Sequence, residues 1–172
     1  MILVRRANQQ DASAIARVHI ASWRTTYAGI VPNDYLKSLN ESERVLQWQD
    51  WLARDVRVYV AELDGEVIGF ASAGPTRELL EGCDAELYAI YLLNRAQRIG
   101  IGTTLVRTLA TYLCAKDFKS MMVWVLEQNP AIHFYEKSGA VRVTSKQIEV
   151  GGAVLGEIAF KWPDLSMLAS LT

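Results

Sequence analysis

Residues 86–127 constrain the fold more than any other part of the chain. An apolar stretch, Glu86 to Leu93, leads through Gln97-Arg98-Ile99-Gly100-Ile101-Gly102-Thr103 into a helical pattern over Gly100 to Phe118. That helix carries Ile101, Leu105, Leu109, Tyr112 and Leu113 on one side, and a second apolar run, Met121 to Glu127, follows it. Strand, long helix and buried strand in succession make a β-α-β unit, and its crossover sets the two strands parallel.

The remaining elements read as hairpins and helices around that unit. Met1 to Arg6 is a first strand, and Asp11 and Ser13 open a helix through Ile15, Val18, His19 and Ser22 to about Tyr27. Ala28-Gly29-Ile30-Val31-Pro32 breaks it. Asn40 and Ser42 cap another helix, with Val45, Leu46, Trp48, Gln49 and Leu52 on its apolar face, ending near Arg54. Val56 to Leu63, Asp64-Gly65 and Glu66 to Ala73 form a hairpin by alternation and turn chemistry. Asn129 at the cap, Pro130 at the first helical position and Gly139 beyond the end frame a short helix over 130–138. Val141 to Val150, Gly151-Gly152 and Ala153 to Lys161 make the last hairpin. These elements predict a single mixed α/β domain over 1–172: a mostly antiparallel, twisted sheet of about seven strands with a parallel fourth/fifth-strand crossover, flanked by about four helices.

Composition narrows the function classes. Eighteen Lys and Arg against nineteen Asp and Glu give a net charge of −1, which argues against a dedicated nucleic-acid binder. The apolar run Leu87 to Leu93 is far shorter than the roughly 20 residues of a membrane-spanning helix, and no export signal is expected. Cys83 and Cys114 lack the spacing of a metal knuckle or redox pair, so they read as reduced thiols of a cytoplasmic protein. The two histidines cannot build a zinc site by themselves, and no metal is expected.

The segment Gln97 to Thr103 carries the chemistry. It places backbone N–H groups and a helix N-terminus together, an arrangement that binds phosphate. Gly100 and Gly102 let an anion approach the backbone, and Arg98 adds positive charge. A dinucleotide site would need a third glycine where Leu105 stands, with an acidic residue at the end of the next strand. The lysine of a nucleotide-triphosphate loop is also missing.

A second segment, Asn129-Pro130-Ala131-Ile132-His133-Phe134-Tyr135-Glu136-Lys137-Ser138-Gly139-Ala140, stands one strand further on. Gln97, Gly100 and Gly102 with Asn129, Phe134, Tyr135 and Gly139 resemble the two signatures of the GNAT family of N-acetyltransferases, over about residues 1–162, although the small residue of the second signature falls at Ala131. The resemblance implies acetyl-CoA as co-substrate, with its pyrophosphate on the amides of Arg98, Ile99, Gly100, Ile101, Gly102 and Thr103. It places the pantetheine arm beside Tyr91 and Leu92, and makes Gln97, Asn129 and Phe134 further cofactor contacts. It also implies that the fourth and fifth strands splay, and that the Leu92 amide serves the thioester carbonyl.

The reaction so implied is direct attack of a neutral amine on the thioester, with no acyl-enzyme. Tyr135 occupies the family's acid position. Glu86 stands where many members place a carboxylate acting through water, or is a solvated strand-end charge. Glu78, Glu81, Asp84 and Glu86 either attract a cationic amine or form a solvated loop. Trp23, Tyr27 and Tyr88 are candidate substrate contacts, although Trp23 and Tyr27 also have the spacing of core neighbours. His19 and His133 read as structural. The leading expectation is acetylation of a small amine. Protein N-terminal or lysine acetylation, a non-catalytic acyl-CoA-binding domain and, more distantly, a nicotinamide enzyme stay open. The C-terminal Trp162, Leu165, Met167, Leu168 and Leu171 pack on their own domain or on a second copy in a homodimer.

Overall fold

The computed structural model describes residues 1–54, 56–80 and 82–171. In chain order its elements are β1 (Ile2–Arg6), α1 (Ala12–Thr26), α2 (Asn33–Ser38), α3 (Glu41–Ala53), β2 (Arg57–Leu63), β3 (Glu66–Pro75) and β4 (Ala85–Leu92). They continue with α4 (Ile101–Cys114), β5 (Met121–Leu126), α5 (Ile132–Lys137), β6 (Val141–Val150), β7 (Ala153–Trp162) and α6 (Leu165–Ala169). One sheet holds all seven strands in the order β1-β2-β3-β4-β5-β7-β6, antiparallel except between β4 and β5.

Alternation along the strands sends side chains to two cores. Ile68, Leu87, Val123, Phe160 and Trp162 face α4, α5 and α6, whereas Val58, Val60, Val67 and Phe70 face α1 and α3. On α4 the fourfold spacing of Ile101, Leu105, Leu109 and Leu113 buries all four, each stabilising the fold by roughly 2 kcal/mol.

The parallel pair is the feature that makes a site. It holds only at Ala85 with Met121 and Glu86 with Met122. The β3–β4 ladder then slips a residue between Ala73–Leu87 and Ser72–Ala89, leaving Tyr88 without a residue opposite it. Such a bulge bends a strand and increases its twist. Meanwhile β5 stays with β7 through six pairs, from Met121–Trp162 to Leu126–Glu157. The two strands therefore diverge into a V-shaped cleft.

Several boundaries differ from the sequence expectation. Among the described residues there are six α-helices against the expected four or so, because α2 and α6, of six and five residues, are too short to show a period. Strand β3 continues to Pro75. Helix α4 ends at Cys114 instead of Phe118, because Asp117 turns left-handed and the Phe118 N–H reaches back to the Leu113 carbonyl. The short helix starts at Ile132, so Asn129 caps the turn before it: its Oδ1 accepts from the Ala131 N–H at 2.9 Å. Leu165 and Leu168 are buried against the chain's own core, and Met167 is exposed. No helix among the described residues is long and apolar enough to cross a membrane.

Candidate active site

The end of β4 presents free backbone to the cleft. Leu93 N–H donates to the Ile68 carbonyl on β3 at 2.9 Å, so the antiparallel alternation turns the neighbouring Leu92 N–H to the opposite edge. That edge faces β5, where pairing has already ended. Beyond it, Arg98 (φ 63°) and Gly100 (φ 87°) both adopt left-handed backbone before α4 begins. A chain that alternates in this way curls its N–H groups into a concave anion site. No side chain caps α4, and its first intrahelical bond is from Thr104 N–H to the Gly100 carbonyl. The amides of Ile101, Gly102 and Thr103 are thus left pointing out of the helix N-terminus.

Small residues keep this surface open. A Cβ on Gly100 would meet no atom within 4 Å, while one on Gly102 would lie 3.6 Å from both Leu92 Cδ1 and Phe134 Cε2. Phe134 and Leu92 therefore form the floor beside the helix start. The Gln97 side chain is spent locally, with its Nε2 donating to the Leu92 carbonyl at 3.1 Å. Ile101 buries its side chain in the core and offers only its amide. Ile99 is exposed next to it.

Tyr135 sits on α5 with its ring among Phe134, Phe160 and Trp162, at centroid distances of 5.6, 6.3 and 5.7 Å. It is 5% exposed. Its hydroxyl has no hydrogen-bond partner among the described residues. Burial, followed by the neighbouring Tyr91, pushes its pKa well up, so it stays a protonated O–H donor. Asn129 links this helix to the other wall, donating from Nδ2 to the Tyr27 hydroxyl at 3.4 Å, and Tyr27 lies 3.3 Å from the Tyr91 hydroxyl.

On the α1 side of the sheet lies a cavity of about 190 Å³, whose walls include Trp23, Tyr27, Tyr88, Tyr91, Trp124 and Glu157. Glu86 and Arg77 also line it. Glu86, expected as a water-coupled base or a solvated charge, is only 2% exposed. Its carboxylate accepts from Arg77 Nη2 at 2.6 Å, Nε at 3.3 Å and the Arg77 backbone N–H at 3.0 Å. Glu78 pairs with Lys146 on β6 at 2.7 and 2.8 Å. Asp84 is occupied by the Lys119 and Ser120 amides, and Glu81 falls outside the described residues. Glu78 is exposed, as a solvated loop would have it, whereas Glu86 is buried and lines the cavity, and all three carboxylates have partners. The Tyr88 hydroxyl donates to the Pro75 carbonyl.

Next to the cavity wall formed by Ile148 and Val150, the β6–β7 turn meets α2. Gly151 is left-handed (φ 59°), and a Cβ there would fall 2.5 Å from Tyr35 Cβ and 2.7 Å from its Cγ. Tyr27, Val31, Leu36 and Leu126 form an apolar cluster beneath, joined by Ile148, Val150 and Leu155 of the hairpin. The first helices and the last hairpin are therefore packed together. Arg77, Trp124, Lys146 and Glu157 join the site without having been picked out from the sequence. Glu157 alone carried a signal, as an acid among Leu155, Ile158 and Ala159 in a mostly apolar strand.

A free-backbone cleft, a helix N-terminus and a buried tyrosine beside an aromatic cavity suit an acyl-transfer enzyme. The model of the acetyltransferase (GNAT) family matches residues 19–140. The chain is 48% identical over 174 residues to an uncharacterised N-acetyltransferase of Bacillus subtilis, YuaI, covering 99% of this chain and 98% of the relative. It is 27% identical over 139 residues to phosphinothricin N-acetyltransferase of Streptomyces viridochromogenes, covering 79% and 72%. The fold is shared with the PaiA N-acetyltransferase of Thermoplasma acidophilum solved with coenzyme A, at TM-score 0.69 and 23% identity over 94% of this chain and 99% of that one. This chain belongs to the GNAT acetyltransferase family and is an N-acetyltransferase.

Proposed function

We propose that the enzyme transfers the acetyl group of acetyl-CoA to a primary amine of a small molecule, in a ternary complex and without an acyl-enzyme. The observation that carries the choice of acceptor is the packing of the first helices on the last hairpin, where Tyr27, Val31 and Leu36 cluster with Ile148, Val150 and Leu155 and fill the space that an extended polypeptide acceptor would need as an open groove. About 190 Å³ suits a compact amine. The acceptor named for one relative, phosphinothricin, is of this class.

The residues divide the work. Acetyl-CoA supplies an activated thioester, and its phosphates suit the unpaired amides of Ile101, Gly102 and Thr103 with Arg98 beside them. The Leu92 N–H, preorganised and unpaired, stabilises negative charge developing on the thioester oxygen. Tyr135, protonated by virtue of its burial, is the donor to the departing sulfur. Trp23, Tyr27, Tyr88 and Tyr91 hold the acceptor. Cys83 and Cys114 do not line the cavity, which supports direct attack.

The test is CoA release from acetyl-CoA with free amines (polyamines, amino acids, phosphinothricin, aminoglycosides) against peptides with free N-termini or lysines. Release with one class of free amine is expected. Release with peptides alone would overturn the small-molecule reading.

A further inference from the structure

We propose that Glu157, and not Glu86, takes the proton from the acceptor amine. This rests on the assignment of the cavity as the acceptor site.

Both carboxylates line that cavity, but they differ in what they can accept. Three donors of Arg77 already occupy Glu86, two on Oε2 and one on Oε1, and leave it a single free acceptor position. Glu157 has no donor within hydrogen-bond distance among the described residues. Its charged neighbour, Lys146 Nζ, stands 3.6 Å away. That ammonium is drawn toward Glu78 and lies 4.2 Å above the Trp124 ring. Glu157 is therefore shielded from solvent, with its side chain 12% exposed, and open toward the cavity.

Position supports the same role. Glu157 sits on β7 opposite Leu126, the last residue of β5, where the cleft is wide. The groups facing it are Lys146 on β6, Glu78 after β3, Glu86 on β4 and Tyr27 at the end of α1. Burial raises the Glu157 pKa above the ordinary carboxylate range, while Lys146 pulls it down and Glu78 and Glu86 add to the rise.

The step balances. The ammonium gives one proton to a Glu157 oxygen, and the freed nitrogen lone pair forms the C–N bond to the thioester carbon. The C–S bond breaks with its electron pair on sulfur. Sulfur takes the Tyr135 proton, the second proton lost by nitrogen restores Tyr135, and Glu157 returns its own proton to solvent.

The experiment compares wild type with Glu157→Gln on the best acceptor of the panel, following kcat/KM from about pH 6 to about pH 9. At neutral pH a loss of about a hundredfold or more is expected, shrinking as pH approaches the amine's own pKa, with melting temperature and acetyl-CoA affinity unchanged. A change below about threefold at every pH would overturn the assignment, as would a pH-independent loss confined to acceptor KM. If only peptides react, the small-molecule reading falls, yet the same pH comparison run on the peptide still decides Glu157. A carbon-13 titration of the Glu157 carboxyl needs no acceptor: a midpoint above the ordinary carboxylate range is expected, and one within or below it overturns the proposal.

Discussion

Replacing Gly151 by alanine perturbs, at one point, the packing of α2 on the last hairpin from which the small-molecule acceptor is inferred. The added Cβ would meet Tyr35 Cβ at 2.5 Å and Cγ at 2.7 Å. These atoms lie at the root of the side chain, so no rotamer change clears them, and either α2 or the hairpin must move. Left-handed backbone costs an alanine about 1 kcal/mol, and overpacking of this kind adds about 1–3 kcal/mol. The total is about 2–4 kcal/mol. Gly152 provides the internal control: it is also left-handed (φ 84°), but a Cβ there meets nothing within 4 Å. Gly152→Ala should therefore cost only the backbone part, about 1 kcal/mol. Urea unfolding measures both losses, and steady-state kinetics measure the consequence. Gly151→Ala should raise the acceptor KM and leave the acetyl-CoA KM unchanged. Equal stability losses and unchanged acceptor KM in the two variants would refute the role given to that packing.

Three further outcomes follow from the site and the core. Tyr135→Phe should lower kcat by about a hundredfold or more, while stability stays within about 0.5 kcal/mol because the lost hydroxyl has no partner to strand; stopped assays and urea melts check the pair. Arg98→Gly removes a charge and also relieves a left-handed non-glycine residue (φ 63°), so acetyl-CoA affinity by calorimetry should fall while stability stays within about 1 kcal/mol. His19 is buried and neutral: the Trp48 Nε1–H lies 3.1 Å from its Nδ1 and Arg44 Nη1 lies 3.3 Å from its Nε2, and since both neighbours can only donate, the neutral ring accepts from one of them. Burial, then Arg44, pulls its pKa from 6.5 to about 3. The unfolded chain thus binds a proton that the folded one refuses, so stability is full above pH 6.5 and falls as pH drops toward 3. The loss is about 2 kcal/mol between about pH 7 and about pH 5. His19→Asn, which keeps an acceptor for Trp48, should flatten that slope in pH-dependent urea melts; an unchanged slope would contradict the assignment.

The frame and the open backbone at the start of α4 were legible because their signals are local. Alternation marked Arg57–Leu63 and an unbroken apolar run marked Met121–Leu126 as strands, and the α4 residues Ile101, Leu105 and Leu109 carried their own period. Gly100 and Gly102 lie next to the amides they expose, so one stretch of sequence contains both the cause and the result. The acceptor side is built from residues far apart in the chain. Arg77 reaches Glu86 across nine residues, Lys146 reaches Glu78 across 68, and Gly151 meets Tyr35 on another element. Nothing local announces such contacts. The bulge at Tyr88, which opens the cleft, depends on how β3 and β4 slip past each other and leaves no mark of its own.

The placement of the cofactor on the splayed end of β4 and the start of α4 is tested most directly by following backbone amide resonances during titration with acetyl-CoA. The largest shifts should fall on Leu92, Gly100, Ile101, Gly102 and Thr103, with smaller ones on Tyr135. Shifts concentrated instead at the loop of Gly29 to Asn33, with the α4 amides unmoved, would contradict it.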